Sequence, residues 1–307
     1  MINFGWMNKR SRNNILVIFT LAISISLIGC ERFRSPAAHD QEANRSTDVQ
    51  STPFLPDSVH LAFGNPTNAV SDPANKDNFL IVGEGSVISY NDSRGAANWV
   101  SWRTTKADLG NSIPRPDFRA DPRLPNGFKR VQYYDYSGSG FDRGHMVPSA
   151  DRFANKKLNE ETFLMTNIVP QTGALNQEAW ERFESYARKQ AWNGNDVYQI
   201  AGVYGENGVL RNKITIPTNC WKVIAIVPRG KKIEDLDRRM RIIAVDMPNI
   251  FGIEDEPWER FKVTIRAIEE KAGMDLFSHL SRDVQDRLET TVEIRSLATN
   301  ARMNEEK

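Results

Sequence analysis

The chain has 307 residues, of which 40% are hydrophobic and 26% charged, enough for one large hydrophobic core or two small ones. A formal net charge of +1 excludes the strongly basic field of a protein that coats nucleic acid by bulk electrostatics. The only cysteines, Cys30 and Cys220, exclude a disulfide framework and a cysteine-built zinc site.

The N-terminus reads as an export signal. Lys9, Arg10 and Arg12 precede an uncharged apolar run from Ile15 to Gly29, short for a membrane span of about 20 residues but suited to a secretory core. The run ends in Leu27-Ile28-Gly29-Cys30, which resembles a bacterial lipobox with Cys30 as lipid acceptor. That reading is favoured over a plain signal peptide, and a retained membrane anchor ranks third. Residues 1–29 are therefore expected to be a lipoprotein signal peptide. The protein would be exported and held at a membrane through lipid on Cys30, facing the periplasm or cell exterior, or be secreted. Removing residues 1–29 takes away three positive charges and no negative ones, so the net charge goes from +1 to −2. Residues 30–57 are polar, lack a hydrophobic period and should form a flexible tether.

The folded body is expected over residues 58–293. Phe79 to Gly83 and Val87 to Tyr90 read as strands joined by a turn at Gly83-Glu84-Gly85, and Trp99 to Arg103 alternates as a half-buried strand does. Residues 110–128 carry four prolines and form a long loop, a kind of segment that is commonly functional. Asn176 to Ala191 has helical spacing, with Trp180, Phe183 and Ala187 as its apolar stripe. Val197–Val203, Trp221–Val227 and Ile242–Val245 read as core strands, with Cys220 a buried small hydrophobe beside them. Glu256–Ala272 and Leu276–Leu288 read as amphipathic helices, and residues 294–307 as a polar tail. Strands and helices mix without βαβ alternation, which predicts an α+β fold.

Of four histidines, His39 lies in the tether, His60 at the start of the body and His279 in a late amphipathic segment. Only His145 is set among reactive groups, in Phe141-Asp142-Arg143-Gly144-His145-Met146 after the run Ser137-Gly138-Ser139-Gly140. Gly144 permits a close approach or a positive φ. Alone, this segment is explained equally well by a turn whose His fills a gap. Downstream, Asn167 precedes a helix carrying Asn176, Glu184 and Arg188. In a regular helix Glu184 lies about 12 Å along the axis from Asn176 and about 80° around it. Arg188, four residues on, can pair with Glu184. Asn176 and Glu184 are then too far apart to ligate one metal together without distortion at the helix start. The spacing suits a hydrated ion such as magnesium, with Glu184 holding one of its waters.

The segments Asp142-Arg143-Gly144-His145 and Asn167-Ile168-Val169-Pro170-Gln171, through Asn176-Gln177 to Trp180 and Glu184, closely resemble the DNA/RNA non-specific endonuclease family. These are sugar-non-specific nucleases of the ββα-metal (His-Me finger) class, and the resemblance is closest to secreted bacterial members. It spans about Val59 to Leu288. It implies a central antiparallel sheet flanked by helices, with the His on a strand-turn element and the metal ligand at the start of the next helix. It further implies His145 as general base, Asn176 as the single direct ligand of Mg2+ (or Mn2+), and Glu184 as the carboxylate on a metal-bound water. Arg188 matches a nearby basic position, Asn167 a polar residue that orients the site, and Arg143 a part of the motif. Arg115 best matches the phosphate-clamping arginine, with Arg119 as a substitute. The implied substrates are DNA and RNA without sequence preference, cut to 5′-phosphorylated products. Arg119, Arg123, Lys129, Arg130, Lys156 and Lys157 could follow the phosphate backbone, though each alone reads as a surface charge. Two other readings stand beside this one: a non-catalytic nucleic-acid-binding lipoprotein that keeps the fold, and a phosphodiesterase for a smaller substrate or a toxin with a protein inhibitor.

Overall fold

Alternating β-branched and aromatic residues build the strands of the central sheet. A computed structural model describes residues 58–235 and 239–294. The expected signal peptide, Cys30, the tether and residues 295–307 of the tail lie outside the described residues.

In chain order the strands are β1 (Phe79–Val82), β2 (Val87–Asn91), β3 (Ala96–Thr104), β4 (Asp142–His145), β5 (Ile168–Gln171) and β6 (Asn195–Tyr204). They continue with β7 (Val209–Leu210), β8 (Ile214–Thr215), β9 (Asn219–Pro228), β10 (Arg241–Pro248), β11 (Lys262–Val263) and β12 (Glu293–Ile294). The α-helices are α1 (Lys156–Glu161), α2 (Trp180–Trp192), α3 (Ile265–Ala272) and α4 (Arg282–Glu289). The main sheet runs β1-β2-β3-β6-β9-β10-β11, with β12 also on β10, and β4 pairs separately with β5. The pairings in the main sheet and between β4 and β5 are antiparallel. This is the expected α+β architecture.

The period-2 alternation of β1, β2, β3, β6, β9 and β10 feeds the two larger cores. Along β9, Trp221, Val223, Ala225 and Val227 join the face covered by α3, while Cys220, Ile224 and Ile226 join the face covered by α2. Trp99, Trp102, Trp180 and Trp221 are almost wholly buried. Cys220 is fully buried, as expected, and its thiol is pushed up to about 12 by that burial. His60 ties two segments of the body together: its Nδ1 accepts from Arg103 N at 3.1 Å and its Nε2 reaches Glu84 O at 2.9 Å.

Three expected helices differ from what forms. Residues 256–272 are not one helix: Trp258–Phe261 is a 3-10 turn, Lys262–Val263 joins the sheet, and α3 begins only after Thr264. Thr264 Oγ1 accepts from Ala267 N at 3.2 Å and caps α3 there, and Pro257 and β-branched Val263 disfavour an earlier helix. Leu276 and Phe277 are buried outside any helix, Phe277 with φ of 58°, and α4 starts at Arg282. The third difference, at the start of α2, shapes the site.

Candidate active site

The β4–β5 pair carries the first half of the site. His145 stands opposite Ile168 and Gly144 opposite Val169. Gly144 does not adopt positive φ; a Cβ there would overlap the side-chain amide of Gln171, so the glycine makes room for that neighbour. Arg143 and His145 project to one side of β4, and Phe118 meets both: the Arg143 guanidinium lies 5.1 Å from the Phe118 ring centre and the imidazole 5.4 Å. Phe163 packs edge-on against the imidazole at 4.9 Å.

Between these rings His145 Nε2 is buried and has no hydrogen-bond partner in the protein. Burial, followed by the positive charge of Arg115, pulls the imidazole down to about 3. The ring is neutral at neutral pH, with a free nitrogen able to accept a proton. Asn167 fixes the chain just beyond it. Its backbone oxygen accepts from Met146 N at 2.9 Å, its Oδ1 accepts from Val147 N at 2.9 Å, and its Nδ2 donates to Val147 O and Thr162 O. Asn167 is buried with its side chain committed to these bonds, so it orients the β4 exit and is not itself a group that meets a ligand.

The second half comes from the start of α2. Leu175–Ala179 is a π-helical turn, not the regular α-helix expected from Asn176. A π turn advances each residue by roughly 80° instead of 100°, which removes most of the angular offset between Asn176 and Glu184. Asn176 Nδ2 and Gln177 Nε2 both donate to Asp142 Oδ2, at 2.9 and 2.8 Å. An ionised carboxylate only accepts, so the Asn176 nitrogen must face Asp142, and Oδ1 is the atom left for a ligand.

Glu184 sits deeper, in a buried charge cluster. Its Oε1 accepts from Lys222 Nζ at 3.1 Å, and its Oε2 lies 3.7 Å from Arg188 Nη1. Arg188 Nη1 also lies 3.5 Å from Asp151 Oδ1, while Asp151 Oδ2 accepts from Trp102, Thr104 and Gln199. Lys222 is fully buried, its ammonium 4.2 Å from the Trp180 ring centre. Burial raises the Glu184 carboxyl above its ordinary range, with Lys222 and Arg188 opposing, and lowers Lys222. The expected Glu184–Arg188 pair is present, within a network the sequence did not disclose.

Arg115, His145, Asn176, Glu184 and Arg188 line one cleft of about 530 Å3. An adjoining cleft of about 570 Å3 shares Arg115 and Asn176 and adds Asp142 and Arg143. The Arg115 guanidinium lies over the same two rings as the imidazole, 5.3 Å from Phe118 and 5.4 Å from Phe163. Arg119, the substitute, bridges to Leu164 through its backbone and lines neither cleft. The other basic residues expected along a groove point elsewhere. Arg123 forks onto Asp121, Arg130 donates to Asp121 O and Leu124 O, Lys129 to Ser93 O, Lys157 pairs with Glu84, and Lys156 lies 3.9 Å from Glu160. Their charges serve loop packing and surface pairs.

The sequence model of the DNA/RNA non-specific endonuclease family matches residues 63–283. The chain belongs to this family. Among relatives of this endonuclease, a nuclease of Nostoc sp. is 39% identical over 238 residues, covering 77% of this chain and 86% of its own. Nuclease C1 of Cunninghamella echinulata var. echinulata is 33% identical, covering 68% and 86%. A crystal structure of an EndoG/EndoGI complex, which addresses EndoG inhibition, matches with a TM-score of 0.58 at 27% identity. It covers 66% of this chain and 87% of that one. Within the endonuclease fold, Asp142, Phe118, Phe163, Asp151 and Lys222 are site-building residues that the sequence reading passed over or treated as background. For Lys222 a signal existed: it is the one charge on the inward phase Cys220, Lys222, Ile224, Ile226 of a strand.

Proposed function

We propose that this endonuclease hydrolyses phosphodiester bonds in both DNA and RNA, with His145 as general base, at a magnesium site held by Asn176. The observation that carries this reading is a neutral His145 lining the same cleft as Asn176, Glu184 and Arg115. The donors fit a hard cation that keeps most of its water: one neutral amide oxygen, directed by Asp142, and one carboxylate, Glu184, whose Oε2 has only Arg188 at 3.7 Å. Asn176 would bind the ion directly and Glu184 through water, and manganese suits the same oxygen donors. When bound, the ion supplies stabilisation of negative charge on the phosphate and on the departing 3′-oxygen.

The protein's own groups do the rest. Arg115 directs its guanidinium fork at a non-bridging phosphate oxygen. The neutral imidazole of His145 takes a proton from the attacking water as its oxygen bonds to phosphorus. The bond from phosphorus to the 3′-oxygen breaks and leaves a 5′-phosphate; the departing 3′-oxygen takes a proton from solvent to become the 3′-hydroxyl, and the imidazolium returns its proton to solvent. Phe118 and Phe163 hold the base and the clamp side by side. No base-reading element is present among these groups, so cleavage should be indifferent to sequence and should weaken as salt rises.

The test is purified protein with supercoiled plasmid and with RNA, in magnesium or in EDTA. Both substrates should be cut in magnesium only, and a protein inert on both sinks the reading. Asp142 gives a sharper check on the ion site. Asp142→Ala releases the Asn176 amide and is expected to raise the magnesium concentration for half-maximal cleavage by about 10–100-fold; an unchanged titration would remove Asp142 from the site.

Export with lipid on Cys30 is part of the same proposal and rests on the leader sequence alone. Labelled palmitate should enter the protein and fail to enter Cys30→Ser.

A further inference from the structure

Next to the catalytic cleft stand two exposed aromatic rings that neither the core nor the chemistry above uses. Tyr133 and Tyr134 are 53% and 55% exposed, and their rings meet edge to face with centres 5.5 Å apart. They form the outer half of a 3-10 turn, Tyr133–Tyr136, whose inner half is firmly held. Asp135 Oδ2 accepts from Gln132 N and from Lys213 Nζ, both at 2.8 Å, and Tyr136 is buried beside Val131, Met165 and Ile168. The exposed pair is therefore mounted on a rigid base.

That base is tied to the active-site strand. Arg143 Nη1 donates to Tyr133 O at 3.1 Å while its guanidinium covers Phe118. Tyr133, Arg143, Arg115 and Phe118 line a cleft of about 550 Å3, and Arg115 also lines the cleft that holds His145. A flat apolar ring beside guanidinium groups, open to solvent and continuous with a phosphate-binding cleft, is the arrangement by which proteins hold single-stranded nucleic acid without reading it. The cations track the backbone, and the ring offers its face to whichever base is present.

We propose that Tyr133, braced edge-on by Tyr134, is a stacking platform for one nucleobase flanking the scissile phosphate, and that it biases this endonuclease toward single-stranded substrate. The proposal rests on the nuclease reading above. In a duplex both faces of an internal base are covered by its neighbours, so a base can reach Tyr133 only after leaving its stack. A single strand meets no such requirement. Stacking acts on binding, not on the proton transfer at His145, so its loss belongs in KM.

The test uses full-length protein, a single-stranded oligonucleotide and the duplex of the same sequence. Tyr133→Ala should lower kcat/KM on the single strand by about tenfold, through KM, with a smaller loss on the duplex. Tyr133→Phe keeps the ring and should recover the single-strand value to within about twofold. A scan with one abasic nucleotide should find a single position where the parent loses affinity and Tyr133→Ala does not. Thermal melts should coincide, because the ring is exposed. Equal losses on both substrates, parental KM in Tyr133→Ala, or a flat abasic scan of the parent would overturn the stacking site. A parent inert on every substrate overturns the nuclease reading instead.

Discussion

His145→Ala is expected to lower kcat on DNA and on RNA by about 10²–10⁴-fold while fold and substrate binding persist. The loss is confined to the chemical step because Arg115, the proposed phosphate clamp, and its neighbour Arg143 stay seated on Phe118 without the imidazole. Stability should change little. Packing against Phe118 and Phe163 is lost, but so is a buried nitrogen that has no partner. A second readout follows from linkage. Burial and the charge of Arg115 pull His145 down to about 3 in the folded chain, from an ordinary value of about 6.5 when unfolded. Between those values the unfolded chain binds the extra proton, so this group's share of stability is complete above pH 6.5 and is lost as pH falls toward 3. The alanine variant lacks that liability. Its melting temperature should fall less than the parent's between pH 6.5 and pH 4, and an equal fall would contradict a desolvated, neutral His145.

Lys222→Met should be the most damaging change outside the reacting groups. Methionine can fill much of the volume between Trp102 and Trp180, but it leaves Glu184 and Asp151 with Arg188 as their shared cation. Removing one partner of a buried pair typically costs about 3–5 kcal/mol. For a domain of this size that corresponds to roughly 6–20 °C in Tm. Without Lys222 to oppose it, burial raises the Glu184 carboxyl further, and cleavage near neutral pH should fall as well. The double variant Lys222→Met with Glu184→Gln removes both ends of the pair. It should regain most of the stability and little of the rate, a coupling that a double-mutant cycle measures directly. Additive losses of stability in the cycle would mean that the 3.1 Å contact carries no net coupling.

Much of the site is written in local sequence. Motif and spacing point to His145, Asn176, Glu184 and Arg188, the family resemblance adds Arg115, and the fold brings all five to one cleft. Strand positions were legible because period 2 is local; β3, β6, β9 and β10 contain the strands expected there. What was not legible depends on long-range partners or on backbone geometry. Lys222 meets Glu184 across 38 residues, and nothing near Lys222 in the sequence names that partner. Phe118 and Phe163 converge on His145 from a proline-rich loop and from the segment after α1, and as types they are ordinary core residues. The π turn at Leu175–Ala179 leaves no residue signature, since the same side chains would serve a regular helix. The basic residues of the loop misled for a related reason. Charge is visible in sequence, but Lys129, just past the loop, donates to Ser93 O across 36 residues, a direction fixed only in three dimensions.

The most direct measurement replaces the base from solution. His145→Gly opens a slot between Phe118 and Phe163 on an intact strand, and exogenous imidazole can enter it. With magnesium present, imidazole should restore cleavage of DNA and RNA in the glycine variant, with a rate that rises with the fraction of imidazole in its neutral form. Imidazole should do nothing for Asn176→Ala, where the base is already in place. A His145→Gly protein that cleaves at the parental rate without imidazole would contradict His145 as the base.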